Sequence, residues 1–123
     1  MKQLLLVFIG GGLGSILRYY ISKNLNDYYS NFYLGTFLVN IIGCLLIGII
    51  IGLSLKSNYI SENQTLLLAT GFCGGFTTFS TFALESNYLF KESSLLQTSL
   101  YMGLSFTIGV LAISFGLWLC RML

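Results

Sequence analysis

The sequence predicts an all-α integral membrane protein of four transmembrane helices, and three observations carry that reading. Only 8% of the 123 residues are charged, 55% are hydrophobic, and the mean hydropathy is +0.83. A soluble domain of this size carries roughly a quarter charged residues. The apolar residues also gather into four stretches, each close to the roughly 20 residues that cross a bilayer. Short polar connections separate the stretches, and there is no proline, linker or low-complexity tail, so residues 1–123 read as one domain.

The first stretch lies between Lys2 and Lys23 and carries Arg18 near its end. A lysine before an apolar run resembles a signal peptide. This one lacks a small-residue cleavage site and merges into Arg18 and two tyrosines, so a retained helix is expected. The second stretch, Phe32 to Leu55, has no charge. The third runs uncharged from Asn63 to Leu84 and continues past Glu85 to Phe90; the fourth, Leu95 to Leu119, is again uncharged. Gly10 and Gly14, and again Gly48 and Gly52, form GxxxG pairs, the spacing at which membrane helices approach backbone to backbone.

Four crossings place Lys2, Lys56 and Arg121 on one side and Lys23 and Lys91 on the other, with Arg18 just inside the second face. The bias of Lys and Arg that normally orients a membrane protein is almost absent. An ordinary, weakly biased protein and one that inserts both ways, pairing with an opposite copy, both fit this balance.

Several function classes are excluded by what the chain lacks. It has no histidine, and Cys44, Cys73 and Cys120 stand far apart within apolar runs, where they read as small buried hydrophobes. The acids are Asp27, Glu62, Glu85 and Glu92, and no two share a site by sequence. General acid–base and metal chemistry therefore lose their usual parts, and an enzyme is not expected. No basic run addresses nucleic acid.

The third stretch contains GFCGGFTTFSTF, residues 71–82. Gly71, Gly74 and Gly75 near mid-membrane, followed by β-branched Thr77 and Thr78, fit either a kink with close packing or local unwinding. Unwound backbone at this depth is tolerated only when buried in protein or lining a wet cavity. Phe76, Phe79 and Phe82 recur at i, i+3 spacing, with Ser80 and Thr81 beside them. Asn40 lies eight residues past Phe32 in the uncharged second stretch, in the same half of the membrane, where an amide needs partners. This layer offers N–H and O–H donors and the electropositive edges of aromatic rings. A small hard anion suits such a layer; a phenylalanine stripe used for helix packing is the alternative.

GGGLGSILRYY (10–20), GTFLVNIIG (35–43) and GFCGGFTTFSTF (71–82) together resemble the fluoride ion channel family, the Fluc or CrcB proteins, and the similarity extends over the whole chain. The resemblance implies a bacterial inner-membrane protein that passively exports fluoride. It implies an antiparallel, dual-topology dimer, formed with an identical chain or a paralogue, with the third helix broken at its centre. It further implies a structural sodium ion at the dimer centre, held by the backbone carbonyls of Gly74 and Thr77. Asn40, Phe79, Ser80, Thr81 and Phe82 match the fluoride path. Arg18 and Glu85 match vestibule residues, an arginine and a glutamate on the third helix. Ser15 stands where the family often has alanine. The fourth stretch offers Tyr101, Ser105 and Thr107, and no motif decides among them. A proton-coupled drug exporter of similar size needs an acid deep in its first helix, which is missing here. A non-conducting membrane subunit leaves Asn40 and the hydroxyl-rich segment unexplained.

Overall fold

The structure, a computed structural model, describes residues 1–28, 32–56 and 59–122. Helices account for nearly all of them, and no strand occurs among the described residues. The chain forms α1 (Lys2–Leu25), a 3-10 turn (Asn26–Tyr28), α2 (Leu34–Ser54), α3 (Glu62–Thr65), a π-helical segment (Leu66–Cys73), α4 (Gly74–Phe76), α5 (Phe79–Glu92) and α6 (Leu95–Met122). Four helical stretches are long and apolar enough to cross a membrane: Lys2–Tyr28, Leu34–Ser54, Glu62–Glu92 and Leu95–Met122. These are the four expected spans, with ends shifted by a few residues.

Two of the spans start on the same local device. Ser61 accepts from the Gln64 N–H while the Gln64 side chain takes the Ser61 N–H. Ser94 and Gln97 repeat that exchange at the start of α6, at 3.3 and 3.4 Å. Each Ser-x-x-Gln thus satisfies amides that a helix start would otherwise leave unpaired.

The glycines show which helices meet. A carbon added at Gly10 would strike the Leu67 carbonyl and lie 2.8 Å from the Phe72 N, and one added at Gly14 would strike the Phe72 carbonyl. Gly75 is equally tight against Gly11, with the Gly11 Cα 2.9 Å from such a carbon. The first and third spans therefore cross with glycine backbone against backbone, and the wide π turn falls where α1 presses on it. The second GxxxG serves α2 and α6: an added carbon at Gly48 would come within 2.5 Å of the Ile113 carbonyl, and one at Gly116 within 2.7 Å of the Leu45 carbonyl. Both GxxxG pairs act within one chain.

The apolar residues face outward. Leu4, Phe8 and Ile16 of α1 are all more than half exposed, while the buried set includes Thr36, Glu85, Ser86 and Thr98 beside Val39, Phe76, Leu89 and Tyr101. Lipid is as apolar as leucine, so burial of leucine drives nothing here; close packing and internal hydrogen bonds hold the helices together.

Two glycines on one face of α6 provide a test. The nearest atom to a carbon added at Gly109 is the Cys44 sulfur at 3.6 Å, an ordinary contact. Gly116→Ala is expected to cost about 2 kcal/mol through overpacking against α2 backbone. Gly109→Ala is expected to be neutral or to stabilise by up to about 1 kcal/mol through helix propensity. Denaturant unfolding in detergent measures both, and equal effects would contradict the packing described.

Candidate functional site

Between α4 and α5 the third span changes conformation over two residues. Thr77 has φ −83° and ψ 157°, and Thr78 has φ −150° and ψ 119°, both extended. The expectation placed the irregularity at Gly71, Gly74 and Gly75 followed by Thr77 and Thr78; the glycine backbone is helical, and the extended residues are the two threonines. The glycines are used for close approach, and the β-branched residues take the extended torsions that suit them.

Interrupting a helix frees groups that would pair four residues apart, and the chain reassigns most of them. The Thr78 N–H, due to the Gly74 carbonyl in an unbroken helix, donates instead to Asn40 Oδ1 at 2.7 Å. Asn40 Nδ2 donates in turn to the Thr78 carbonyl at 3.1 Å. The Thr81 N–H, due to the Thr77 carbonyl, donates to Thr78 Oγ1 at 3.2 Å, making Thr78 the N-cap of α5. The Cys73 carbonyl keeps the Thr77 N–H and gains its hydroxyl, both at 2.9 Å. The Gly75 carbonyl accepts from Arg18 Nε at 3.0 Å and Ser15 Oγ at 3.3 Å. The Gly74 and Thr77 carbonyls are thus among those whose helical donors have gone elsewhere. Gly43 makes room for this arrangement, since a carbon there would strike Thr77 Cγ2.

Those two oxygens fit a hard cation by type. They are main-chain oxygens without their helical donors, and the nearest atom to a carbon added at Gly74 is the Ala69 carbonyl oxygen at 3.9 Å. Among the described residues no cluster of three or more His, Cys, Asp or Glu side chains competes for a metal.

Of the expected path residues, Asn40, Phe79 and Phe82 line one cavity, Thr81 lines a second, and Ser80 lines neither. The first, of about 280 Å³, is lined by Asn40, Cys44, Phe79, Phe82, Ser105 and Phe106 among others, none of them charged. The Phe79 and Phe82 rings lie 6.0 Å apart and tilted by 47°, and Phe79 is 80% exposed. Ser105 Oγ is buried with no hydrogen-bond partner. The other, of about 430 Å³, is lined by Arg18, Ser22, Lys23, Asn26, Asp27 and Thr81. Ser80 is exposed, its hydroxyl 3.4 Å from that of Thr78. Phe76 leaves the stripe altogether: it is buried before the interruption and stacked on Phe72 at 5.6 Å. Thr107 is exposed and lines neither cavity.

Glu85 is 5% exposed at the centre of a cluster that the sequence did not reveal. Thr36 Oγ1 donates to its Oε1 at 2.6 Å, Asn26 Nδ2 to the same oxygen at 3.1 Å, and Tyr101 Oη to Oε2 at 2.7 Å. Asn26 Oδ1 accepts from the Thr36 N–H at 3.1 Å. The Tyr101 ring rests on Phe82 at 5.4 Å and on Phe32 at 5.1 Å. One carboxyl group thereby ties the 3-10 turn that follows α1 to α2, α5 and α6 beside a cavity-lining ring. Asn26 and Thr36 were not expected as site residues; they lie 59 and 49 positions from Glu85, and no local pattern joins them.

Fold and site together define a multi-pass α-helical membrane protein with an uncharged, largely apolar cavity at an irregular segment of its third span. The chain belongs to the CrcB-like family: the sequence profile described as CrcB-like protein, Camphor Resistance (CrcB), matches residues 5–117. It is 44% identical over 117 residues to a protein of Azobacteroides pseudotrichonymphae named fluoride-specific ion channel FluC, covering 94% of each chain. Proteins of the same name from Phocaeicola vulgatus and Gloeothece citriformis are 43% identical over 120 residues and 44% identical over 122 residues. These alignments cover 97% and 98% of this chain and 98% of each relative. The relatives are named as channels, not as enzymes.

The Glu85 cluster yields a stability prediction. Glu85→Leu leaves two hydroxyls and an amide without their acceptor and is expected to cost about 3 kcal/mol or more. Glu85→Gln keeps an acceptor and is expected to cost about 1 kcal/mol. Thermal unfolding in detergent compares them; equal losses would show that the cluster does not depend on the carboxyl as acceptor.

Proposed function

We propose that this chain is a fluoride-selective channel of the bacterial inner membrane, which lets fluoride leave the cytoplasm passively and so relieves its toxicity. The relatives named as fluoride channels support the reading at the level of family. The observation that carries it to particular residues is the uncharged cavity joining the Asn40 amide, the Phe79 and Phe82 rings and the unpartnered Ser105 hydroxyl.

The chemistry follows from what a small anion loses. Removing an ion from water into an apolar site costs on the order of tens of kcal/mol unless other groups replace the water. Asn40 Nδ2 spends one N–H on the Thr78 carbonyl and keeps a second. Ser105 Oγ has a free donor, and the ring edges carry partial positive charge. Together these replace water without a fixed cation that would trap the ion. Thr78, Ser80 and Thr81 form a hydroxyl cluster at the start of α5. Arg18 and Thr81 line the neighbouring cavity, which serves as a vestibule. Glu85 holds Tyr101 against Phe82 and so fixes one wall of the path.

The third helix is broken at its centre so that a second copy, inserted with opposite orientation, crosses it there. Nearly balanced Lys and Arg on the two sides support both orientations. Gly74 and Thr77 of each copy give two main-chain oxygens, too few for a hard cation alone; two copies give four, which suits a structural sodium ion. Bound there, sodium supplies the positive charge that the reassigned N–H donors no longer provide.

Liposomes containing only this protein are expected to release fluoride without a proton gradient. Phe79→Ile and Phe82→Ile keep apolar bulk but remove the electropositive edge, and are expected to cut flux per folded dimer tenfold or more, about 1.4 kcal/mol in barrier height. Coupled cation exchange, or undiminished flux in both variants, would contradict the proposal.

A further inference from the structure

The residues of α1 that face Gly75 form a single stripe. Gly11, Ser15 and Arg18 stand at i, i+4 and i+7, on one side of the helix. Gly11 lies against the Gly75 backbone so closely that a carbon added at Gly75 would strike the Gly11 carbonyl. One and two turns further on, Ser15 Oγ and Arg18 Nε both donate to the Gly75 carbonyl. In an unbroken helix that carbonyl would accept from the Phe79 N–H; here Phe79 opens α5, beyond the extended threonines.

The distribution of donors around the interruption is therefore uneven. Cys73, Gly75 and Thr78 carbonyls each receive a side-chain donor, from Thr77, from Ser15 with Arg18, and from Asn40. The carbonyls of Gly74 and Thr77 lie among these and have lost their helical donors. A short helical turn ending in extended residues has little of its own to keep its peptide planes in place.

We propose that Arg18 and Ser15 are a positioning pair: a two-donor clamp on the Gly75 carbonyl that anchors the last turn of α4 to α1 and holds the neighbouring Gly74 and Thr77 carbonyls in register. Arg18 acts here through the hydrogen bond from Nε, and its charge is secondary. This differs from an arginine that serves to attract anions in a vestibule. It rests on the channel reading only in that the oxygens held in register are those assigned to the cation. Ser15 strengthens the clamp with a second donor that alanine at this position would not supply.

Chain geometry separates a hydrogen bond from a charge. In Arg18→Gln, Nε2 lies as many bonds from the backbone as Arg18 Nε, so the donor is kept and the charge is lost. Arg18→Met matches the length without a donor, and Arg18→Lys keeps the charge with its nitrogen one bond further out. The full-length dimer in detergent is melted at graded sodium concentrations, and the sodium giving half of the maximal stabilisation is read for each variant. Arg18→Gln is expected to stay within about threefold of the unmodified protein, while Arg18→Met and Arg18→Lys require about tenfold more sodium and melt lower. Ser15→Ala is expected to need about threefold more. The clamp is overturned if Arg18→Lys matches the unmodified protein while Arg18→Gln falls with Arg18→Met, or if all three behave alike. An unmodified dimer whose melting ignores sodium would overturn the cation site instead; the order of the melting temperatures would still decide for or against the hydrogen bond.

Discussion

Asn40 does the work of a missing helical turn. Its side-chain amide offers an acceptor and a donor in the geometry of a peptide group, and both meet the backbone of Thr78, at 2.7 and 3.1 Å. Backbone groups in a bilayer have no water to turn to, so each one left unpaired costs several kcal/mol. A residue that answers both the N–H and the C=O of an extended threonine lets Thr78 leave helical geometry without that cost. The remaining arrangement depends on this exchange. With the Thr78 amide taken by Asn40, the Gly74 carbonyl loses its helical donor. With Thr78 turned into an N-cap, the Thr81 amide leaves the Thr77 carbonyl, and α5 begins with Phe79 and Phe82 facing the cavity that Asn40 also lines.

The surroundings are built to hold that segment from both sides. Glycines of α1 and the third span interlock on one flank, and Gly43 of α2 accommodates Thr77 on the other. Beyond the interruption, Glu85 draws donors from three other elements. The inside of this protein thus mixes glycines and hydrogen-bonded polar groups with a few large side chains such as Phe76 and Tyr101, while its outside is apolar, a reversal of the surface of a soluble domain. That reversal follows from a solvent in which hydrogen bonds and close backbone contact, not hydrophobic burial, decide where helices meet.

How much of this was legible depends on how local the signal is. The four spans follow from composition over windows of about 20 residues, and they lie where hydropathy puts them. Asn40 stood out because an amide in an uncharged span demands partners, but its partner, 38 residues away, is fixed only by tertiary structure. The glycine cluster lies beside the extended threonines, yet its own backbone is helical, since glycine serves close approach as readily as unwinding. The family resemblance groups Thr81 with Phe79 and Phe82, but a helix turns neighbouring side chains to different faces, and Thr81 lines the Arg18 cavity. The Asn26–Thr36–Glu85–Tyr101 cluster was out of reach: Glu85 and Tyr101 stood out singly, but no local pattern joins them to each other or to Asn26 and Thr36. The Ser-x-x-Gln caps at Ser61 and Ser94 carried a readable local signature that hydropathy does not register.

The claim on which the account turns is that Thr78 pairs with a side chain of another helix and not with its own. Dipolar-recoupling NMR on the protein in lipid, with 15N at Thr78 and 13C at Asn40 Cγ or at the Gly74 carbonyl, measures this directly. The account predicts a nitrogen-to-carbon distance of about 4 Å or less to Asn40 Cγ, as an amide hydrogen bond requires, and a longer one to Gly74. A short distance to the Gly74 carbonyl carbon, with Asn40 remote, would describe an ordinary continuous helix and contradict it.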